Sequence, residues 1–105
     1  MFRSINDKGD AMPTYIMLST LTSDGLETIK KKPDRISEVA EELKNMGVTV
    51  KGQWAVLGEY DFVNIVDAPD NETVARASVE IGSRGSVSMV TMPAIPVDEF
   101  IASLK

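Results

Sequence analysis

Val48-Thr-Val-Lys-Gly-Gln-Trp-Ala-Val-Leu-Gly58-Glu-Tyr-Asp-Phe-Val-Asn-Ile-Val-Asp67 is the stretch on which the fold turns. It holds two runs of strand-forming residues, 48–57 and 61–67, joined by Gly58-Glu59-Tyr60. A link that short makes two neighbouring strands an antiparallel hairpin. In the first run Val48, Val50, Trp54 and Val56 share one parity, with Lys51, Gln53, Ala55 and Leu57 on the other. In the second run Phe62, Val63, Ile65 and Val66 are apolar on both parities, the pattern of a strand covered on both faces.

Helical patterns flank this hairpin. Upstream, Leu26, Ile29, Ile36, Val39, Ala40, Leu43 and Met46 form one apolar stripe at helical spacing. Thr22, Ser23 and Asp24 offer capping side chains before it, and Gly47 can end it in a left-handed conformation. Pro33 lacks an amide donor and clashes with the preceding turn, so a kink or short break is expected there. Downstream, Ala68-Pro69-Asp70-Asn71 stops the strand and caps a second helix carrying Val74, Ala77, Ser78 and Ile81, which ends near Gly82 or Gly85.

Two further strands complete the pattern, 14–21 and 86–92, and Val97, Phe100, Ile101 and Leu104 mark a small C-terminal helix. The order is strand, helix, strand, strand, helix, strand: an α+β, ferredoxin-like βαββαβ fold with a four-stranded antiparallel sheet. Both helices then lie on one sheet face, and a monomer would need a polar second face. Several strands are apolar on both parities, so two copies are expected to meet sheet to sheet, as a homodimer or larger even oligomer, with Met17, Met89 and Met92 as adaptable contacts. Which parity meets the helices is open at this level.

Composition narrows the function. The chain has 105 residues and fits one domain, taken as 12–105. Residues 1–11 are mostly polar, lack a signal-peptide core, and read as a disordered extension or a vector remnant. The net charge of −5 disfavours nucleic acid, and Lys30-Lys31-Lys32 reads as a solvated helix face. No apolar run reaches the roughly 20 residues that span a bilayer. With no cysteine, thiolate chemistry is excluded and a reducing, cytoplasmic setting is favoured. With no histidine, a Ser–His–Asp arrangement within the chain is impossible. No carboxylate spacing suggests a metal loop, so no metal and no cofactor are expected.

The segment Gly58-Glu59-Tyr60-Asp61 resembles the signature of the GYD-domain family, named for a Gly-x-Tyr-Asp motif. Met12-Pro13-Thr14-Tyr15 is similar to that family's opening, Pro33-Asp34-Arg35 to its mid-helix Pro-x-Arg, and Ala68-Pro69-Asp70 to the step after its third strand. Gly85, with Thr91 and Met92, resembles the start and end of its last strand, so the likeness runs from about Met12 to Ile95. The resemblance implies a small dimeric α/β-barrel domain of the ferredoxin-like type and no particular chemistry. Ser86-Val87-Ser88 departs from it, since relatives tend to carry a more charged stretch there.

Three groups of residues invite a functional reading. Tyr60 and Asp61 can donate and accept protons, but a turn signature explains them better: Gly58 takes a positive φ, Tyr60 covers the turn and Asp61 binds backbone amides. Tyr15, Trp54, Asn64 and Thr91 can project into a small-molecule cleft between helix and sheet or between subunits; equally, they serve the core. Arg35 and Arg84 can clamp an anion, or Arg35 can pair with Glu38 or Glu59. Gly82-Ser83-Arg84-Gly85 is too short for a phosphate loop and follows a helix. The expected function is a homo-oligomeric small-molecule-binding or accessory module. The alternatives are a cofactor-free enzyme, monooxygenase- or isomerase-like, using Tyr60 and Asp61, and a purely structural assembly protein.

Overall fold

The computed structural model describes residues 12–105, and the reading of residues 1–11 as an extension lies outside them. The elements run β1 (Thr14–Leu21), α1 (Ser23–Lys31), α2 (Arg35–Asn45), β2 (Thr49–Ala55), β3 (Phe62–Asp67), α3 (Asn71–Gly82), β4 (Val87–Ala94) and α4 (Val97–Ser103). The sheet has the order β2-β3-β1-β4, and all three neighbouring pairs are antiparallel. This is the ferredoxin-like plan.

The first helical stripe is two helices. α1 starts at Thr22, whose hydroxyl accepts from the Gly25 amide, and stops at Lys32-Pro33-Asp34 before α2 begins. Gly47 follows α2 with φ +89°, and the Val48 amide bonds back to the Leu43 carbonyl. α3 is capped by Asp70, whose carboxylate accepts from the Thr73 amide at 2.8 Å and the Thr73 hydroxyl at 2.7 Å. These bonds hold the Asp70 carboxyl below its ordinary range.

The register settles which parity meets the helices. Tyr15, Met17, Ser19 and Leu21 of β1 stand opposite Pro93, Thr91, Met89 and Val87 of β4. Tyr15, Met17 and Val66 are buried with Leu43 of α2 and Val74, Ala77 and Ile81 of α3, so this set faces the helices. Met17 is therefore core within one copy, and Met89 packs against that core. Of the three methionines expected at an interface between copies, only Met92 lies on the open face.

Two strands depart from expectation in ways that matter for the faces. β4 continues through Pro93 because it is an edge strand, where a missing amide donor can face outward. In β2 a bulge at Lys51 lets Val50 pair with Val66 and Gly52 with Ile65. The extra residue reverses the parity, so Val50 faces the helices and Trp54 the other side. The Trp54 indole then lies across Gly52, where an added Cβ would come within 2.6 Å of the ring.

Gly25 is the tightest helix–strand approach. It is buried, and a Cβ there would overlap the Ser86 carbonyl oxygen, which also accepts from the Thr22 amide at 3.0 Å. Gly25→Ala should destabilise the fold by roughly 1–3 kcal/mol, since α1 must move off the start of β4. Urea unfolding of the two proteins measures this, and an unchanged midpoint would contradict the close approach.

Candidate functional site

The residues singled out by sequence fall into four places. Tyr60 and Asp61 sit in the β2–β3 hairpin. The Asp61 carboxylate accepts from the Leu21 amide at 2.7 Å, and its own amide donates to the Ser19 carbonyl at 2.8 Å. Gly58 has φ +112°, as the turn reading requires. Asp61 thus ties the hairpin to the end of β1, a wider bond than closure of its own turn. Neither Tyr60 nor Asp61 lines either cavity described below.

Tyr15 and Thr91 border a shallow groove between α3 and β4. Their polar atoms are already paired. The Tyr15 hydroxyl donates to Asn71 Oδ1 at 2.7 Å. The Ser78 hydroxyl gives its proton to the Val74 carbonyl, so Thr91 is the donor in the 2.8 Å contact between the two hydroxyls. Burial, reinforced by the nearby Asp70 and Glu72 charges, pushes the Tyr15 phenol up from its ordinary value.

Asn64 and Arg35 meet at a deeper cavity of about 120 Å³ between the helices and the sheet. Ser19, Gln53 and Asn64 give it a polar strip on the sheet side; Ile36, Val39 and Ile81 are among its apolar walls. Asn64 is 7% exposed, its Nδ2 reaches toward the Met17 carbonyl at 3.5 Å, and its Oδ1 is buried with no hydrogen-bond partner among the described residues. Ser19 and Gln53 carried no signal of their own in the sequence; only the register, which sets Gln53 opposite Asn64, brings them here.

Arg35 and Arg84 also line this cavity, both about one-third exposed. Arg35 pairs with Glu38 at 3.1 Å and Glu42 at 3.4 Å, and Arg84 with Glu42 at 2.8 Å and Glu80 at 3.5 Å. The bond to Glu42 is the main reason the Arg84 guanidinium is held still more firmly protonated than usual. Three carboxylates thus meet two guanidiniums, and Glu59 is not the partner of Arg35.

Trp54 stands apart, 55% exposed on the sheet face away from the helices. Around it on that face lie Val63 and Ile65 of β3, Ile16 and Leu18 of β1, and Val90 and Met92 of β4. Val90 and Met92 are 43% and 39% exposed. The charge placed on this face is Asp67 at one end, with Lys51 Nζ 3.9 Å away. Val97, Phe100, Ile101 and Leu104 of α4 and its C-cap are exposed as well. Among the described residues no cluster of acidic side chains is arranged to hold a metal, and no helix is long and apolar enough to cross a membrane.

A βαββαβ sheet with one face under helices and one left bare by the described residues defines the chain as a ferredoxin-like α+β domain. The chain belongs to the GYD-domain family, whose model matches residues 15–104. It is 59% identical over 95 residues, 90% of this chain and all of the relative, to a "Glutamine synthetase and cystathionine beta-lyase binding protein" of Thermus thermophilus. Among solved structures it resembles MtbAldR, with a TM-score of 0.64 and 18% identity over 90% of this chain and 60% of that one. It also resembles the leucine response regulatory protein of Mycobacterium tuberculosis, with a TM-score of 0.60 and 14% identity over 91% of this chain and 59% of that one. This chain thus spans about three fifths of those two proteins, and the likeness is one of fold.

The Tyr15 phenol supplies a pH test of the groove. Its folded pKa is raised, so its contribution is complete below the unfolded value of about 10 and is lost as pH rises through the folded value. The stability of wild type relative to Tyr15→Phe should therefore fall above about pH 10. Denaturant unfolding of both proteins from pH 8 to 11.5 checks this; a flat difference would mean that Tyr15 ionises alike in the folded and unfolded chains.

Proposed function

We propose that this chain is an accessory binding module that works as a homodimer and docks on metabolic enzymes. The observation that carries the reading is the bare sheet face: apolar from β2 to β4, with its charge confined to one end. A surface of that kind is costly to leave in water, at about 25 cal/mol per Å² of apolar area.

A second copy is the occupant that suits it best. A face without charge at its centre is complementary to itself across a two-fold axis. Contact through it also lets a chain of net charge −5 meet its own copy without bringing like charges together at the centre of the contact. The footprint can be gauged from strand spacing. Four strands of up to 8 residues cover roughly 500 Å² at about 4.8 Å between strands and 3.3 Å per residue. A stable interface takes about 800 Å² from each partner. The uncovered apolar side chains of α4 are a source for the remainder.

The docking half of the reading is supported by the Thermus relative, named for binding glutamine synthetase and cystathionine β-lyase. Those two enzymes are the first partners to test here. A cytoplasmic location accords with such partners and with a chain free of cysteine. The enzyme reading built on Tyr60 and Asp61 has less support, because the Asp61 carboxylate is engaged by the Leu21 amide.

Val63→Asp puts a charge at the centre of the bare face, outside the core of one copy. The variant should run as a folded monomer in sedimentation velocity where wild type is a dimer, with an unchanged circular dichroism spectrum. It should also lose at least ten-fold in affinity for immobilised glutamine synthetase or cystathionine β-lyase if docking needs the dimer. A monomeric wild type would overturn the dimer; wild-type protein that ignores both enzymes would overturn the docking.

A further inference from the structure

We infer that the cavity between the helices and the sheet is a binding site for a small, uncharged, mainly apolar molecule that carries a hydrogen-bond donor, such as an alcohol or a primary amide. It lies on the opposite side of the sheet from the bare face and does not depend on how that face is used.

The first argument is the unpaired acceptor. Asn64 is more than nine-tenths buried, and its Oδ1 has no partner among the described residues. A buried acceptor left unpaired costs about 1–3 kcal/mol. A core position on a central strand that needed only packing would hold a valine or isoleucine, as Val66 does two residues on. Ser19 and Gln53 extend the polar strip: Gln53 is directly opposite Asn64, and Ser19 is one row along on β1. A few convergent polar groups at one wall of a mainly apolar hollow is the usual make-up of a small-molecule site.

The ligand's size follows from the volume. At about 120 Å³ the cavity is somewhat smaller than the roughly 150 Å³ that accommodates benzene, which limits the enclosed part to about five or six non-hydrogen atoms. Its charge follows from the rim. Both guanidiniums are already held by Glu38, Glu42 and Glu80, with Lys32 also on Glu38, so an anion would have to displace existing ion pairs in a cluster whose charges already balance. Asn64 lines the hollow, and a turn of its amide toward the cavity would present the unpaired Oδ1 to a donor, which selects a hydroxyl or N–H over a ketone or carboxylate.

Amide chemical-shift titrations of the full chain with cyclopentanol, cyclopentanone and cyclopropanecarboxylate test this. The three probes have the same number of non-hydrogen atoms and differ in donor capacity and charge. Cyclopentanol should shift the resonances of Ser19, Gln53 and Asn64 saturably and bind about ten-fold more tightly than cyclopentanone, the expected size of one hydrogen bond made or missed. In Asn64→Leu the alcohol's advantage should vanish. Should that variant not fold, the alcohol–ketone comparison on wild type decides alone. Equal binding of alcohol and ketone would overturn the site as drawn, and so would shifts elsewhere in the chain. Tighter binding of the carboxylate centred on Arg35 and Arg84 would overturn the uncharged class. Absence of any saturable shift would mean that the hollow holds water only.

Discussion

The Asp61 carboxylate on the Leu21 amide, with the Asp61 amide on the Ser19 carbonyl, is the constraint from which the rest follows. This pair of bonds locks the β2–β3 hairpin against the end of β1 and so fixes the register of the central strands. Register matters here more than in most sheets. A slip by one residue exchanges the two faces of a strand, and β1 and β3 are apolar on both. Hydrophobicity alone would tolerate either choice. The Gly-x-Tyr-Asp signature is thus best understood as a register lock. The positive φ at Gly58 makes the turn, and the carboxylate bonds the hairpin to the Leu21 amide in the observed alignment.

With the register set, the two faces take different work. On the helix side, Tyr15, Met17 and Val66 make a core with Leu43, Val74, Ala77 and Ile81, and the same rows carry Ser19, Gln53 and Asn64 into the hollow under α1 and α2. On the other side Ile16, Leu18, Val63, Ile65 and Trp54 form a continuous apolar surface. The bulge at Lys51 is what adds Trp54 to it, because the extra residue turns the second half of β2 over. A ligand in the hollow and a partner on the bare face would be separated by one layer of sheet. That is a distance over which a change in β3 packing can be felt on both sides.

Charge is distributed in keeping with this division. The acidic excess is carried mainly by the helices and loops, and the ion pairs at the cavity rim are partly exposed pairs around Glu38, Glu42 and Glu80. Pairs this exposed contribute little to stability, about 0–1 kcal/mol each. They do neutralise Arg35 and Arg84 at the cavity rim, which changes what can enter. An arginine pair in the sequence suggests an anion clamp; the same pair already engaged by carboxylates does not.

The sequence by itself determined the element order, the turn at Gly58, the cap at Asp70, the end of α2 at Gly47 and the break at Pro33. Each of these depends on local chemistry: a backbone conformation that glycine tolerates, a carboxylate within reach of an amide three residues on, a missing N–H. It also showed that the sheet is apolar on both faces, and so that one copy leaves a face uncovered. Tertiary structure alone decided which parity meets the helices, since both are apolar and only strand pairing distinguishes them. For the same reason it moved Met17 from an expected interface into the core and turned Trp54 outward. It also gathered Ser19, Gln53 and Asn64, which are 11 to 45 positions apart in the chain, onto adjacent rows of one sheet face. No local pattern marks such a set, because the bonds that align it run across strands and not along them.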